Sequence, residues 1–215
     1  MTRIVAIECL RMSAQVFLLT LAAVSARATS FDCAKAATSV ERLICETRAL
    51  ARMDDELAEI YEDGADREEH RLAVRAAQRA WIVRRNRCAD AECVGRIYEL
   101  RIAQLACDKD RGMAGSAIAS LQCAYAQLRL AERERVPVEE KRNSQVISNS
   151  NNPAYAKQVL AEEHKAWLTY RQARCQLYGE TEGGSDAWKN AYAGSCEVDA
   201  TKERTHRLRN ETKGP

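Results

Sequence analysis

Two stretches of this 215-residue chain carry the same residues in the same order, and this repetition constrains the fold more than any other feature. Each stretch has an Ala-Trp pair, an arginine four positions after the tryptophan, and a cysteine seven or eight positions after it. Each then has a second cysteine, a second arginine and a leucine at matching spacings. The matching residues are Trp81, Arg85, Cys88, Cys93, Arg101 and Leu105, and then Trp167, Arg171, Cys175, Cys196, Arg204 and Leu208. Ordered self-similarity indicates repeated structural units.

We predict two such units, residues 31–107 and 118–212. The linker between them, 108–117, contains two glycines and alternating charge, which is typical of a loop. The second unit is expected to carry two surface loops of its own. They are the polar stretch 143–153 and the glycine-containing stretch 179–185, because segments of this composition lie on protein surfaces.

The residues between these breaks favour helices. The whole chain contains only 9 glycines and 3 prolines, and it is rich in Ala, Leu, Arg and Glu. Apolar residues recur at helical spacing over 40–61, with an interruption near residue 46, and Thr38 with Glu41 forms the pattern of a capping box. Further helical stretches are expected over 70–87 and 92–106. We therefore predict an all-α fold of two small antiparallel helix bundles in tandem, each stapled by disulfides.

The first 28 residues have the order of a secretory leader. Arg3 and Arg11 precede an apolar run over 16–24, and an A-x-A pattern that a signal peptidase can cleave ends at Ala28. The apolar run is too short to span a bilayer, and the alternative is a buried N-terminal helix. We expect a periplasmic or secreted protein. No lipidation site precedes Cys33, so we expect no membrane anchor in the mature chain.

Removal of this leader would leave eight cysteines and thirty residues of each charge sign. A neutral chain is poorly suited to a phosphate backbone, so we expect no nucleic-acid partner. An even number of cysteines in an exported chain favours disulfides, and zinc is the alternative. No C-x-x-C pair occurs, so we expect no metal and no cofactor. Proximity favours the pairs Cys33–Cys45, Cys88–Cys93, Cys107–Cys123 and Cys175–Cys196, but the sequence cannot choose among these and the many other pairings that eight cysteines permit.

The repeated tryptophans and arginines are interpreted as architecture rather than chemistry. Residues four apart share one face of a helix, where a guanidinium can stack on an indole. We expect the second repeated arginine to cross to a carboxylate on another helix, as Arg101 could to Glu41, and so to fix how the helices meet. The structural residues are then Glu41, Trp81, Arg85, Arg101, Trp167, Arg171 and Arg204.

An ordered set of residues extends over nearly the whole first unit: Phe31, Asp32, Cys33, Ala34, Thr38, Glu41, Ile44, Cys45, Leu50, Asp54, Leu57, Tyr61, Gln78, Trp81, Arg85, Cys88, Cys93, Tyr98, Arg101 and Leu105. This set resembles the N-terminal domain of the lysozyme inhibitor LprI-like family. The second unit resembles the family more loosely. The first unit opens with the cysteines Cys33 and Cys45, whereas the second is expected to have only Cys123 at the corresponding place. The resemblance implies a small, helical, disulfide-bonded, exported module that inhibits lysozyme.

An acidic run in the first unit supports the interpretation of this chain as a binding protein. Nine acids and one arginine lie over 54–69, a local charge of minus eight, and Gly64 can place them at the tip of a helical hairpin. A cationic enzyme would be attracted to this charge, and the alternative is an ordinary solvated helix face. The candidate partner-binding residues are Asp54, Asp55, Glu59, Glu62, Asp63 and Asp66.

No catalytic motif accompanies these features. The chain has no G-x-S-x-G, H-E-x-x-H, P-loop or Rossmann glycine pattern, so we expect no enzyme. The function predicted is that of an exported binding protein that inhibits lysozyme-type peptidoglycan hydrolases. The alternative is a periplasmic adaptor that binds another envelope protein and has no effect on lysozyme. A third possibility, an enzyme of unknown type, requires an unbridged thiol or a buried carboxylate pair.

Overall fold

The computed structural model describes residues 29–65, 68–110 and 113–212, and within these ranges it contains seven α-helices and no strand. The all-α prediction is therefore confirmed. The predicted leader, 1–28, lies outside the described residues. The helices are α1 (Ser39–Glu46), α2 (Arg48–Ala65), α3 (Glu68–Arg85), α4 (Ala91–Ala106), α5 (Ala117–Asn149), α6 (Pro153–Glu182) and α7 (Asp186–Glu211). We call α1 to α4 the first helical group and α5 to α7 the second.

The start of α1 is the capping box that the sequence predicts. The Thr38 hydroxyl accepts a hydrogen bond from the Glu41 backbone N–H at 3.1 Å, and the Glu41 carboxylate accepts one from the Thr38 N–H at 2.9 Å. The Thr38 backbone hydrogen bond is the main cause that lowers the pKa of Glu41, so the cap stays charged. The helix ends because Thr47 has an extended backbone, which separates α1 from α2 as the apolar periodicity predicts.

The first helical group has an apolar core of large side chains. Tyr98, Ile102 and Val94 of α4 are fully buried against Ile44 of α1, and α2 and α3 close the remaining sides. Each such side chain contributes about 1.5 to 3 kcal/mol on burial. Ala126 of α5 is part of the same core, so the second helical group covers one side of the first.

Polar contacts reinforce this junction between the groups. The buried Glu99 on α4 accepts two hydrogen bonds from Arg133 on α5, one of them at 3.0 Å. The bond to Glu99 is the main cause that raises the pKa of Arg133. On α2, Glu56 accepts a hydrogen bond from Arg129 at 2.7 Å. These contacts join α5 to α2 and α4.

The second helical group is built from longer helices with smaller buried residues. α7 packs against both α5 and α6, and its contact with α6 requires a glycine. A Cβ atom on Gly179 would lie 2.4 Å from the backbone oxygen of Lys189, and this distance is too short for two atoms that are not bonded. The absence of a side chain at this position therefore sets how closely the two helices approach.

The two loops predicted for this group are mostly helical, so that prediction is wrong. α5 continues through most of 143–153, and α6 continues through most of 179–185. The end of α5 lies beside the end of α7, where an Arg142 nitrogen is 3.9 Å from a Glu211 carboxylate oxygen. This packing stabilises a helical turn whose composition favours a loop. The connections that remain are 150–152 and 183–185.

Four disulfides have Cα–Cα distances of 4.8 to 5.8 Å. Three of them lie at or near helix ends, and the fourth, Cys175–Cys196, joins the interiors of α6 and α7. They join the pairs that proximity in the sequence favours. Each one restricts the unfolded chain, and each contributes a few kcal/mol to stability on that account. The bridges are Cys33–Cys45, Cys88–Cys93, Cys107–Cys123 and Cys175–Cys196.

Candidate functional site

A buried polar chain surrounds the first repeated tryptophan. The guanidinium of Arg85 lies 5.5 Å from the ring centre of Trp81 and donates a hydrogen bond to the Tyr98 hydroxyl at 3.2 Å. That hydroxyl donates in turn to the Asp54 carboxylate at 2.6 Å. The rings of Trp81 and Tyr98 meet edge to face, 5.0 Å apart. The stacking of Trp81 and Arg85 is thus part of the framework that connects α2, α3 and α4.

Asp54 belongs to this framework, so its assignment to the partner-binding surface is wrong. Only 4% of Asp54 is exposed, and its second carboxylate oxygen accepts a hydrogen bond from the Ser30 N–H at 2.6 Å. The physical reason is helical register, because Asp54 lies four residues after Leu50 and three before Leu57, on the buried face of α2. Burial is the main cause that raises the pKa of Tyr98, and the negative charge of Asp54 is the second. The Tyr98 hydroxyl therefore keeps the proton that it donates.

The partner expected for Glu41 is also corrected. Glu41 lies 3.8 Å from a nitrogen of Arg85, the first repeated arginine. Arg101, the second, donates instead to the amide oxygens of Gln78 and Gln104, at 3.0 and 2.9 Å. Arg101 does not reach Glu41 because its side chain extends from α4 toward α3 and not toward the start of α1. Within the described residues Arg101 forms no ion pair, and burial lowers its pKa.

The second repeated tryptophan lies in a much more highly charged cluster. Three guanidinium groups, from Arg135, Arg171 and Arg204, lie 4.9 to 5.1 Å from the ring centre of Trp167. Carboxylates from all three helices of the second group pair with these arginines and with the neighbouring Arg142. We call this set the Trp167 cluster; its carboxylates are Glu132, Glu139, Glu163 and Glu197.

Arg204 is the central cation of this cluster. Its Nη1 and Nη2 atoms both donate hydrogen bonds to Glu163, the one from Nη2 at 2.6 Å. Nη2 also donates to the buried Glu139 at 2.8 Å. Burial by itself disfavours the charged guanidinium, but the bonds to Glu163 and Glu139 outweigh it and raise the pKa of Arg204. The Arg204 hydrogen bonds are the main cause that lowers the pKa of Glu163 to about 2. This repeated arginine therefore crosses to carboxylates, as the sequence led us to expect for Arg101.

The acidic run of α2 divides between the surface and the interior. Asp55, Glu59 and Glu62 are exposed, and their spacing of four and three residues places them on one side of the helix. Asp63 is half-buried and accepts a hydrogen bond from the backbone N–H of Met113 at 3.0 Å. Asp66 lies outside the described residues. We call Asp55, Glu59 and Glu62 the acidic stripe.

The remaining structural findings concern metals and membranes. Among the residues that the structure describes, no group of three or more His, Cys, Asp or Glu side chains is arranged to hold a metal ion. In the same part of the chain, no helix combines the length and the apolar character needed to span a bilayer.

Comparison with known proteins decides the family. The family model described as lysozyme inhibitor LprI matches two segments, residues 33–107 and 107–208. This chain belongs to the LprI lysozyme inhibitor family. Its relatives include two proteins named "Lipoprotein LprI", from Mycobacterium bovis and Mycobacterium tuberculosis. Both are 37% identical to it over 83 residues, which is 36% of this chain and 41% of each relative. The chain thus spans about two fifths of their length, and no solved structure matches it significantly.

The second LprI match corrects our prediction of its opening. The match begins at Cys107, as the first begins at Cys33, and Cys107 is bonded to Cys123 as Cys33 is bonded to Cys45. The second segment therefore has an opening cysteine pair. This bridge was predicted, but it was not recognised as the opening of the second segment because Cys107 was counted as the last residue of the first unit.

The helix caps show how the two LprI segments correspond. Thr38 and Ser116 each cap a helix that has a bridged cysteine seven residues later. Counting from these caps pairs Asp54 with Glu132. The contacts agree, because Arg171 reaches Glu132 in the second segment whereas Arg85 reaches Asp54 through Tyr98 in the first. By the same count, the positions of Leu57 and Tyr61 in the first segment are those of Arg135 and Glu139 in the second.

Most of the residues that build the Trp167 cluster were not predicted from the sequence. Arg135, Glu139 and Glu163 were not predicted to take part in ion pairs around the second repeated tryptophan, because charged residues on a helix normally face water. The signal that could have found them is the alignment of the two caps. This alignment places Arg135 and Glu139 where the first segment has Leu57 and Tyr61, and the separate alignment of Trp81 with Trp167 places Glu163 where the first segment has Ala77.

Proposed function

We propose that this LprI family member is an exported binding protein that inhibits lysozyme-type peptidoglycan hydrolases. The observation that carries the proposal is the family match over both helical groups. Four disulfides support export, since such bonds persist in oxidising compartments. The named relatives match over about two fifths of their length, so the activity is an inference from the family.

We also propose that the two helical groups are the two repeats of one module, with 31–107 and 118–212 as the main bodies and 108–117 as the linker. Cys107, at the end of the first body, supplies the opening cysteine of the second repeat. The repeated Trp, Arg and Cys positions support this. Apart from Cys88, which lies in the connection between α3 and α4, they occupy α3 and α4 in the first group and α6 and α7 in the second.

The acidic stripe is the surface that we assign to the hydrolase. Its three carboxylates project from a helix whose opposite side is held in the core by Leu57 and Ile60. The charges are therefore presented on a rigid element, which reduces the entropy lost on binding. Complementary charge also accelerates association with a cationic enzyme and makes it dependent on salt.

The test is the clearing of a cell-wall suspension by lysozyme, with and without the purified protein. The variant Glu59→Lys/Glu62→Lys replaces two attractions with two repulsions, and we expect it to inhibit about tenfold less well or worse. The matched control is Glu140→Lys/Glu162→Lys, which makes the same change in net charge at exposed positions of α5 and α6. We expect the control to inhibit as the unmodified protein does, and we expect added salt to weaken inhibition by both.

Two results would contradict the proposal. Equal loss of inhibition in both variants would show that overall charge, and not the acidic stripe, attracts the enzyme. Unimpeded lysis at a stoichiometric excess of the unmodified protein would reject inhibition altogether and would favour the adaptor function.

A further inference from the structure

The helix α3 has an arginine-rich composition that the proposed function does not use. Residues 71–88 contain six arginines and no acid, in contrast to the acidic run that precedes them. Arg85 points inward to Tyr98 and Trp81. Four of the others, Arg75, Arg79, Arg84 and Arg87, are exposed, and none of these four forms an ion pair with any residue that the structure describes.

An apolar ridge runs along the same outer side of the helix. Leu72 is 79% exposed and Val83 is 54% exposed, with the exposed Ala76 between them. The spacing of four and seven residues aligns these side chains on one face, opposite the buried Trp81. α3 is therefore apolar on two sides, one in the core and one facing solvent.

Helical geometry places the arginines on both flanks of this ridge. At 100° per residue, Arg75 and Arg79 lie to one side of it and Arg84 lies to the other. Arg87 lies in the turn that follows α3. Long arginine side chains can extend outward beside an apolar ridge while their heads contact anions. Basic residues beside an apolar stripe are typical of helices that lie in the interface of a membrane.

We propose that the outer face of α3, formed by this ridge and the four exposed arginines, docks on the surface of an anionic phospholipid bilayer. The arginines would contact lipid phosphates, and Leu72 with Val83 would enter the layer beneath the headgroups. A nucleic acid could satisfy the same arginines but offers no apolar layer, so it would leave Leu72 and Val83 in water. The exposed apolar residues therefore favour lipid.

The proposal is independent of lysozyme inhibition, which uses the acidic stripe of α2. Binding is measured by sedimentation of the full mature protein with vesicles of phosphatidylglycerol and phosphatidylcholine, and with vesicles of phosphatidylcholine alone. We expect binding to the anionic vesicles only. We expect release at roughly 1 M salt, where the screening length is about 3 Å.

Two variants test the two components of the face. Each arginine near an anionic surface strengthens binding roughly fivefold, so Arg75→Glu/Arg79→Glu should weaken binding by about twenty-five-fold or more. The second variant, Leu72→Ser/Val83→Ser, should weaken it several-fold without a change in charge. The matched controls change exposed residues of α6: Lys157→Glu/Lys165→Glu for charge, and Tyr170→Ser/Leu177→Ser for apolar surface. We expect both controls to bind as the unmodified protein does.

Three results would overturn the proposal. The first is no binding to anionic vesicles at low salt. The second is an equal effect of the α3 variants and their α6 controls. The third is binding that Leu72→Ser/Val83→Ser leaves unchanged and that duplex DNA abolishes by competition, which would assign the face to a polyanion. Circular dichroism and an unchanged lysozyme assay would show that a loss of binding does not come from misfolding.

Discussion

The two repeated arginines Arg101 and Arg204 occupy equivalent positions, yet the structure predicts opposite consequences of their removal. In Arg204→Met, the buried Glu139 and the partly exposed Glu163 lose their shared partner. Removal of one member of a buried ion pair lowers stability by about 3 to 5 kcal/mol, because a charge remains buried without compensation. Glu139 still has Arg135 on its own helix, so we expect the lower end of this range, about 3 kcal/mol.

Arg101→Met is the matched control. Arg101 donates to two glutamine side chains, and its Nη2 atom has no hydrogen-bond partner among the described residues. The substitution removes two hydrogen bonds, worth about 1 kcal/mol each, but it also removes a buried charge that is poorly compensated. We therefore expect a loss of about 1 kcal/mol or less.

Urea unfolding with the disulfides intact measures both variants, followed by circular dichroism and by tryptophan fluorescence. The double variant Arg204→Met/Glu139→Leu removes the carboxylate that the single change leaves unpaired. We expect it to recover part of the lost stability. If Arg204→Met loses no more free energy of unfolding than Arg101→Met, the ion pairs of the Trp167 cluster do not stabilise the fold and the reasoning is refuted.

Two further predictions concern Glu163 of the Trp167 cluster and the disulfide that connects the two helical groups. Because hydrogen bonds from Arg204 lower the pKa of Glu163 from 4.5 to about 2, this carboxylate stabilises the folded state fully above pH 4.5, and the contribution disappears as the pH falls toward 2. After allowance for solvent screening of this partly exposed group, the unfolding free energies of the unmodified protein and Glu163→Gln should differ by about 1 kcal/mol near neutral pH and converge in acid; a constant difference would contradict this. The variant Cys107→Ala/Cys123→Ala opens a loop of 16 residues and should lower the unfolding free energy by about 3 kcal/mol, and an unchanged urea midpoint would contradict that.

The elements that the sequence predicted well depend on neighbours in the chain. The capping box of Thr38 with Glu41 involves residues three positions apart, and the break at Thr47 follows from local apolar spacing. The stacking of Trp81 on Arg85 likewise needs only one helical turn. Such features can be predicted because helical geometry alone brings the groups together.

The candidate binding surface shows where this approach failed. The acids of this run are spread around a helix that packs against a core, so one or more of them must lie on its buried side. Asp54 is such a residue, and the flanking Leu50 and Leu57 could have identified it. Asp63 could not have been identified in this way, because its partner is the backbone of Met113, 50 residues away.

The sequence by itself determined that this chain is helical, duplicated and related to lysozyme inhibitors, because those properties are encoded in short-range spacing and in residue identity. Only the tertiary structure decided which charges are buried and which arginine meets which carboxylate. Arg204 and Glu163 are 41 residues apart, and whether their helices bring them together depends on packing along the whole length of α5, α6 and α7. The same packing leaves the acidic stripe and the outer face of α3 exposed to solvent.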